Sequence, residues 1–202
     1  RGLGDVYKRQ HPLGVDQVGR DQLARLLYGG RVSIGIGFFA AFIIMTLGLT
    51  IGSVAGFFGG VVDDAIMWFI NTLNSIPFIL LLLIISLLFK PNAFTLTVFI
   101  GLVSWTNVSR IVRGQVFQVK QMEYITAARA LGVRTSRIII GHVLPNVIPV
   151  AIIYAAQVIG GVILFESALS FLGLGVQPPT ATWGNMLNKA TSYFSLGPHL
   201  VI

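Results

Sequence analysis

The charged residues of this 202-residue chain are so unevenly spread that the stretches without any are its most restrictive feature. No Asp, Glu, Lys or Arg falls between Arg31 and Asp63, Asp64 and Lys90, Lys90 and Arg110, or Arg137 and Glu166. Each gap approaches or exceeds the ~20 apolar residues that a membrane-spanning helix needs. Charged residues make up 10% of the chain, against roughly 25% in soluble domains, and the mean hydropathy is +0.82. Little room is left for a soluble globular reading. The pattern predicts an all-α, multi-pass integral membrane protein with four spans at about 33–58, 65–89, 94–109 and 147–165.

The net charge of +7 would suit nucleic acid if the charge lay on a soluble surface among exposed aromatics. Instead it is concentrated in one inter-span segment, where Arg110, Arg113, Lys120, Arg129, Arg134 and Arg137 face the single acid Glu123. That is the positive-inside signature of a cytoplasmic loop next to a lipid bilayer, so 110–145 is expected inside and nucleic acid is not an expected partner. Counting spans places the Asp63-Asp64 turn inside, and residues 11–32 and 166–198 outside. Arg20, Arg25 and Arg31 then lie outside, a mild violation that the basic loop outweighs. The chain has no cysteine, which excludes disulfides and thiolate metal sites.

Residues 1–10, RGLGDVYKRQ, differ in character from the rest of the chain and read as a non-native leader; with no initial Met and a hydrophobic rise at the other end, both ends look cut. Residues 11–32 read as an external interfacial segment, with Asp21 as N-cap to Leu23, Leu26 and Leu27 at helical spacing. Gly48, Gly52, Gly56 and Gly60 recur every fourth residue, a spacing that lets helix backbones approach closely in lipid. In the second span, Asn71, Asn74 and Ser75 precede Pro77. Polar groups at that depth either line a water-filled path or hydrogen-bond to neighbouring helices. Glu166, at the outer edge of the fourth span, has the same two readings: a solvated or hydrogen-bonded interfacial residue, or a part of the path or outer docking surface.

Within the basic segment, Val112, Val116, Val119, Met122, Ile125 and Ala128 form one apolar helix face across Ser109 to Gly132. Leu131-Gly132 stops that helix. Thr135 or Ser136 can cap a second short helix, which Leu144-Pro145 breaks. A helix, a glycine turn and a helix suit a docking element better than a loop lying on anionic lipid.

At 126–145, TAARALGVRTSRIIIGHVLP resembles the cytoplasmic signature of binding-protein-dependent ABC importer permeases: Glu-Ala-Ala, three residues, Gly, nine residues, Ile, any residue, Leu-Pro. Ala127, Ala128, Gly132, Leu144 and Pro145 fall in register, whereas Thr126 replaces the Glu and His142 the Ile. Glu123, one turn earlier, offers a carboxylate nearby. HPLGVDQVGRD (11–21), YGGRVSIGIG (28–37), GFFGGVVDD (56–64), LNSIPF (73–78), VSWTNVSRIVRGQV (103–116) and FESALSFLGLGVQPPTATWGNML (165–187) extend the likeness. Together they are similar to the second permease subunit of the oligopeptide, dipeptide and nickel importer group. The resemblance implies a helical bundle of the type I ABC importer permease kind over 33–202, with four of six spanning helices present. It further implies an ATPase-docking loop containing Glu123, Thr126, Ala127, Ala128, Gly132, Leu144 and Pro145. The implied partners are a second homologous permease subunit, cytoplasmic ATPase subunits that bind the ATP, and an external substrate-binding protein. A peptide substrate is favoured, and nickel follows only by analogy.

Catalysis within the chain is not expected. It has no G-x-x-x-x-G-K-[ST] loop to cradle phosphates, no H-E-x-x-H and no G-x-S-x-G. His11, His142 and His199 are too scattered for a metal site. No cofactor is expected in this chain. A secondary transporter or channel, whose basic loop only touches lipid, is the alternative; it would want inverted repeats and matching broken helices, and no repeat is evident.

Overall fold

The computed structural model describes residues 11–16, 19–88 and 92–190. The expected leader, Lys90-Pro91, 191–198 of the expected external region and His199 lie outside the described residues. The helices are α1 Gln22–Phe58, α2 Gly60–Asn74, α3 Phe78–Leu88, α4 Ala93–Val119, α5 Glu123–Ala130, α6 Thr135–Ile138, α7 Leu144–Phe171 and α8 Trp183–Ala190, with a π-helical turn Ile139–Val143 joining α6 to α7. Among the described residues there is no strand, and an isolated bridge pairs Val15 with Asp21. Three helices, Gln22–Phe58, Ala93–Val119 and Thr135–Phe171, are long and apolar enough to cross a membrane.

The chain forms two compact units, one of Arg1–Phe38, Leu82–Thr97 and Gly161–Ile202, the other of Phe39–Leu81 and Val98–Gly160. In the first, Asp21 caps α1 as expected: its Oδ1 accepts from the Leu23 and Ala24 amides at 2.8 and 3.2 Å. The His11 hydrogen bond, together with the Ala24 amide, holds the Asp21 carboxyl below the usual carboxylate range. Residues 22–32 are continuous with the first expected span rather than a separate helix. They are the first turns of α1, and at Gly29-Gly30 the helix packs against the Thr182-Trp183 segment. A Cβ on Gly29 would stand 3.3 Å from the Thr182 backbone, and one on Gly30 would stand 2.8 Å from the Trp183 ring. Two of the three arginines in this stretch are also neutralised in part. Buried Asp16 pairs with Arg20 at 2.6 Å and lies 3.7 Å from Arg25.

The expected continuous span 65–89 is two helices, because α2 ends at Asn74 and Pro77 restarts the chain as α3. Proline disfavours a helical residue before it and suits the first turn of the next helix, where the Leu80 and Leu81 amides donate to the Pro77 carbonyl. Neither piece alone is span-length. The expected third span runs on to Val119, and α4 buries Val108, Val112, Val116 and Val119. The glycine stripe seats α1 on α4 with almost nothing between the backbones. A Cβ on Gly48, Gly52 or Gly56 would fall 2.6, 2.5 or 2.8 Å from Val108 Cγ1, the Ser109 carbonyl or the Arg113 carbonyl. Gly60 is not part of this contact, with no atom within 4 Å of its Cβ position.

Candidate docking surface and polar sites

The helix expected from Ser109 to Gly132 is divided at Lys120–Met122. There the chain turns, with Met122 extended at φ −69 and ψ 144, and α5 starts at Glu123. Fully buried Ile125 anchors α5, whereas Met122, expected on the same apolar face, is 44% exposed. Glu123 in the first turn and Arg129 in the last match the helix dipole. Glu123, Thr126 and Ala127 lie on the open surface, and Ala128 is half-buried.

The end of α5 is closed by a Schellman turn. Val133 N–H donates to the Ala128 carbonyl at 3.1 Å and Gly132 N–H to the Arg129 carbonyl at 3.0 Å, with Gly132 at φ +75. Two of the expectations beyond it fail. Arg134, not Thr135 or Ser136, is the cap of α6, and no side chain caps it. Nor do Leu144-Pro145 break the helix: Pro145 lacks the N–H that would reach Gly141, and the π-helical turn Ile139–Val143 absorbs its ring, so the helix continues through Phe171.

Leu131, Gly132, Val133, Arg134, Ser136, Arg137, Ile140 and Gly141 line an open groove of about 750 Å³ beside the turn. Leu131 is 84% and Ile140 68% exposed, and the exposed side chains of Arg134 and Arg137 lie between them in sequence. Leu144 is half-buried and Pro145 exposed, one turn beyond the groove. The result is a fixed knob with apolar contacts and guanidinium groups, suited to a protein surface carrying apolar and acidic groups. In sequence, Leu131 reads only as part of a helix stop and Ile140 carries no role; their signal was two large apolar residues off the apolar stripe of Val112 to Ala128.

The candidate path residues are already partnered. Arg110 donates to Asn71 Oδ1 at 2.8 Å, Thr106 to Asn74 Oδ1 at 3.1 Å, and Ser75 Oγ to the Thr72 carbonyl at 2.7 Å. Asn71 and Asn74 nevertheless remain exposed on α2. One turn beyond Arg110, Arg113 grips buried Asp63 of α2 in a two-pronged pair at 2.5 Å.

Glu166 belongs to the other unit and is fully buried rather than solvated. Its oxygens accept from Ser33 at 3.0 Å and Ser170 at 2.7 Å. Each serine accepts in turn from a backbone amide, Trp183 to Ser33 and Val176 to Ser170, both at 3.2 Å. Among the described residues, no group of three His, Cys, Asp or Glu is placed to hold a metal ion.

Comparison with known proteins agrees with this architecture. Residues 48–202 match the family described as binding-protein-dependent transport system inner membrane component. The chain is similar to the oligopeptide transport system permease protein OppC of Haemophilus influenzae, 40% identical over 95% of this chain and 62% of that protein. It is 42% identical to OppC of Escherichia coli K12 over 95% of this chain and 64% of that protein. Against the dipeptide transport system permease protein DppC of Bacillus subtilis it is 40% identical over 88% of this chain and 56% of that protein. The chain thus spans less than two thirds of the length of these curated relatives.

Proposed function

Because the chain belongs to the family of binding-protein-dependent transport system inner membrane components, we propose that it is a permease subunit of an ATP-driven importer, with peptides as the substrate class. It forms half of the translocation pore beside a second homologous permease subunit. A separate cytoplasmic ATPase binds and hydrolyses the ATP, and an external binding protein delivers the substrate; this chain holds no cofactor and performs no catalysis. Names of relatives that specify oligopeptide and dipeptide transport support the substrate class.

The observation that carries this reading is the knob built by α5, the Gly132 turn and α6. Glu123, Thr126, Ala127 and Gly132 form its open face, with Ala128, Leu144 and Pro145 at its margins. The positive-inside rule puts it in the cytoplasm, where rigid-body motion of a docked ATPase would be passed to the helices that carry it. Asn71, Asn74 and Ser75 are proposed to line a polar path once the second permease covers α2, with Glu166 shaping the outer side. Affinity purification of the full-length subunit tests the assignment. A homologous permease and an ATPase should be recovered, and uptake of a peptide should require ATP. Uptake driven by an ion gradient without ATP would support a secondary transporter instead.

A further inference from the structure

The C-terminal turn of α1 is completed from outside the helix. The last carbonyls of a helix have no partner within it, and α1 carries no basic residue in its last turn to complement them. Lys120, the first residue after α4, supplies the cation: its Nζ donates to the Gly56 carbonyl at 2.8 Å and to the Phe57 carbonyl at 3.5 Å. Arg129, in the last turn of α5, stacks on the Phe57 ring at 4.9 Å. The turn that precedes the docking helix and the last turn of that helix are therefore both tied to one turn of α1. Its base is braced further by the Phe117 ring, which lies 4.1 Å from Lys120 and 4.9 Å from Arg113. Burial and the nearby Arg129 hold the Lys120 ammonium below its usual range, so the charge is kept in a place that disfavours it. A lysine free to swing into water would avoid that cost.

We propose that Lys120, with Arg129, is the positioning element that passes motion of the docking helix to α1, so that α1 and α4, already seated backbone to backbone, move as one body. This rests on the assignment of α5 and α6 as the ATPase-docking knob. Without the two ties, the Lys120–Met122 turn at the base of α5 would lose its hydrogen bonds to α1 and could flex, dissipating a rigid-body push before it reached α1.

The test uses the complete importer, with both permeases, the ATPase and the binding protein, in proteoliposomes. Lys120→Met keeps the aliphatic stem and removes the donor. Uptake per ATP hydrolysed should fall about tenfold, the scale of one lost charge-assisted hydrogen bond, while ATPase co-purification stays at the parent level. Lys120→Arg should restore most of the coupling ratio. Unchanged uptake per ATP in Lys120→Met overturns the proposal, as does loss of ATPase association in that variant, since Lys120 would then belong to docking itself. Gly132→Asp separates the two readings. If it sheds the ATPase while Lys120→Met transports normally, only the link is wrong; if it keeps the ATPase, the docking assignment fails and the link fails with it.

Discussion

Ser33 and Glu166, 133 positions apart in sequence, share a 3.0 Å hydrogen bond in which the serine hydroxyl donates to a fully buried carboxylate. With Ser170 on the other oxygen, this carboxylate joins α1 and α7 to the amides that open α8 and the preceding loop. Glu166→Leu should cost about 2 kcal/mol, because two buried hydroxyls lose their acceptor. Glu166→Gln keeps one carbonyl oxygen and should cost less. Thermal unfolding of the purified subunit ranks them, and equal midpoints for Leu and the parent would show that the network contributes nothing.

The ion pair of Asp63 and Arg113 differs in that its arginine is a third exposed, so solvent weakens it. Asp63→Asn should destabilise by about 1–2 kcal/mol, the range of a lost charged hydrogen bond discounted for that exposure. Adding Arg113→Met should recover part of the loss, since the unpaired guanidinium is then gone. A double variant no more stable than Asp63→Asn alone would rule this out.

In the seam between α1 and α4, Gly52→Ala places a methyl 2.5 Å from the Ser109 carbonyl, where neither backbone can yield cheaply. Overpacking of this kind costs about 1–3 kcal/mol. Gly35→Ala is the control, having no atom within 4 Å of its Cβ position, and should be neutral or slightly stabilising, as alanine suits a helix better than glycine. Equal melting temperatures for the two variants would count against direct backbone contact.

Topology can be read without background, because the chain has no cysteine and Gln118 and Thr180 are both exposed. A cysteine at Thr180 should react from outside with an impermeant thiol reagent. One at Gln118 should react only after the membrane is opened. The opposite pattern would invert the topology.

Gly132 has open space around it, so Gly132→Ala meets only the left-handed backbone cost of about 1 kcal/mol. Gly132→Asp adds a charged side chain to the knob and should abolish ATPase association and uptake while leaving membrane insertion intact. Thr126→Glu should be tolerated or should strengthen association, as its position is exposed. Co-purification of the ATPase with each variant decides the matter.

What could be read in advance divides along a physical line. Local signals were legible: the Asp21 cap, the glycine stripe from Gly48 to Gly56 and the left-handed Gly132 each act through their own few residues. Features made by distant partners were not. Nothing near Lys120 breaks a helix; the corner is held by carbonyls of α1 more than sixty residues earlier. Glu166 reads as either solvated or hydrogen-bonded until Ser33 is found beside it. Pro77 and Pro145 show the limit within local chemistry: one divides a helix, and the other, just after a π-helical turn, does not.

That turn, Ile139–Val143, also sets an angle. An α-helix advances about 100° per residue, and a π-helical turn accommodates one extra residue without ending the helix. Everything from Thr135 to Ile138, with the groove attached, is therefore rotated about the axis by about 100° relative to an unbulged α7. Removing one residue there would leave a regular helix and intact surfaces at both ends, yet they would face in different directions. The bulge acts as a clocking device: it decides which way the knob points when the long helix behind it is held in the membrane.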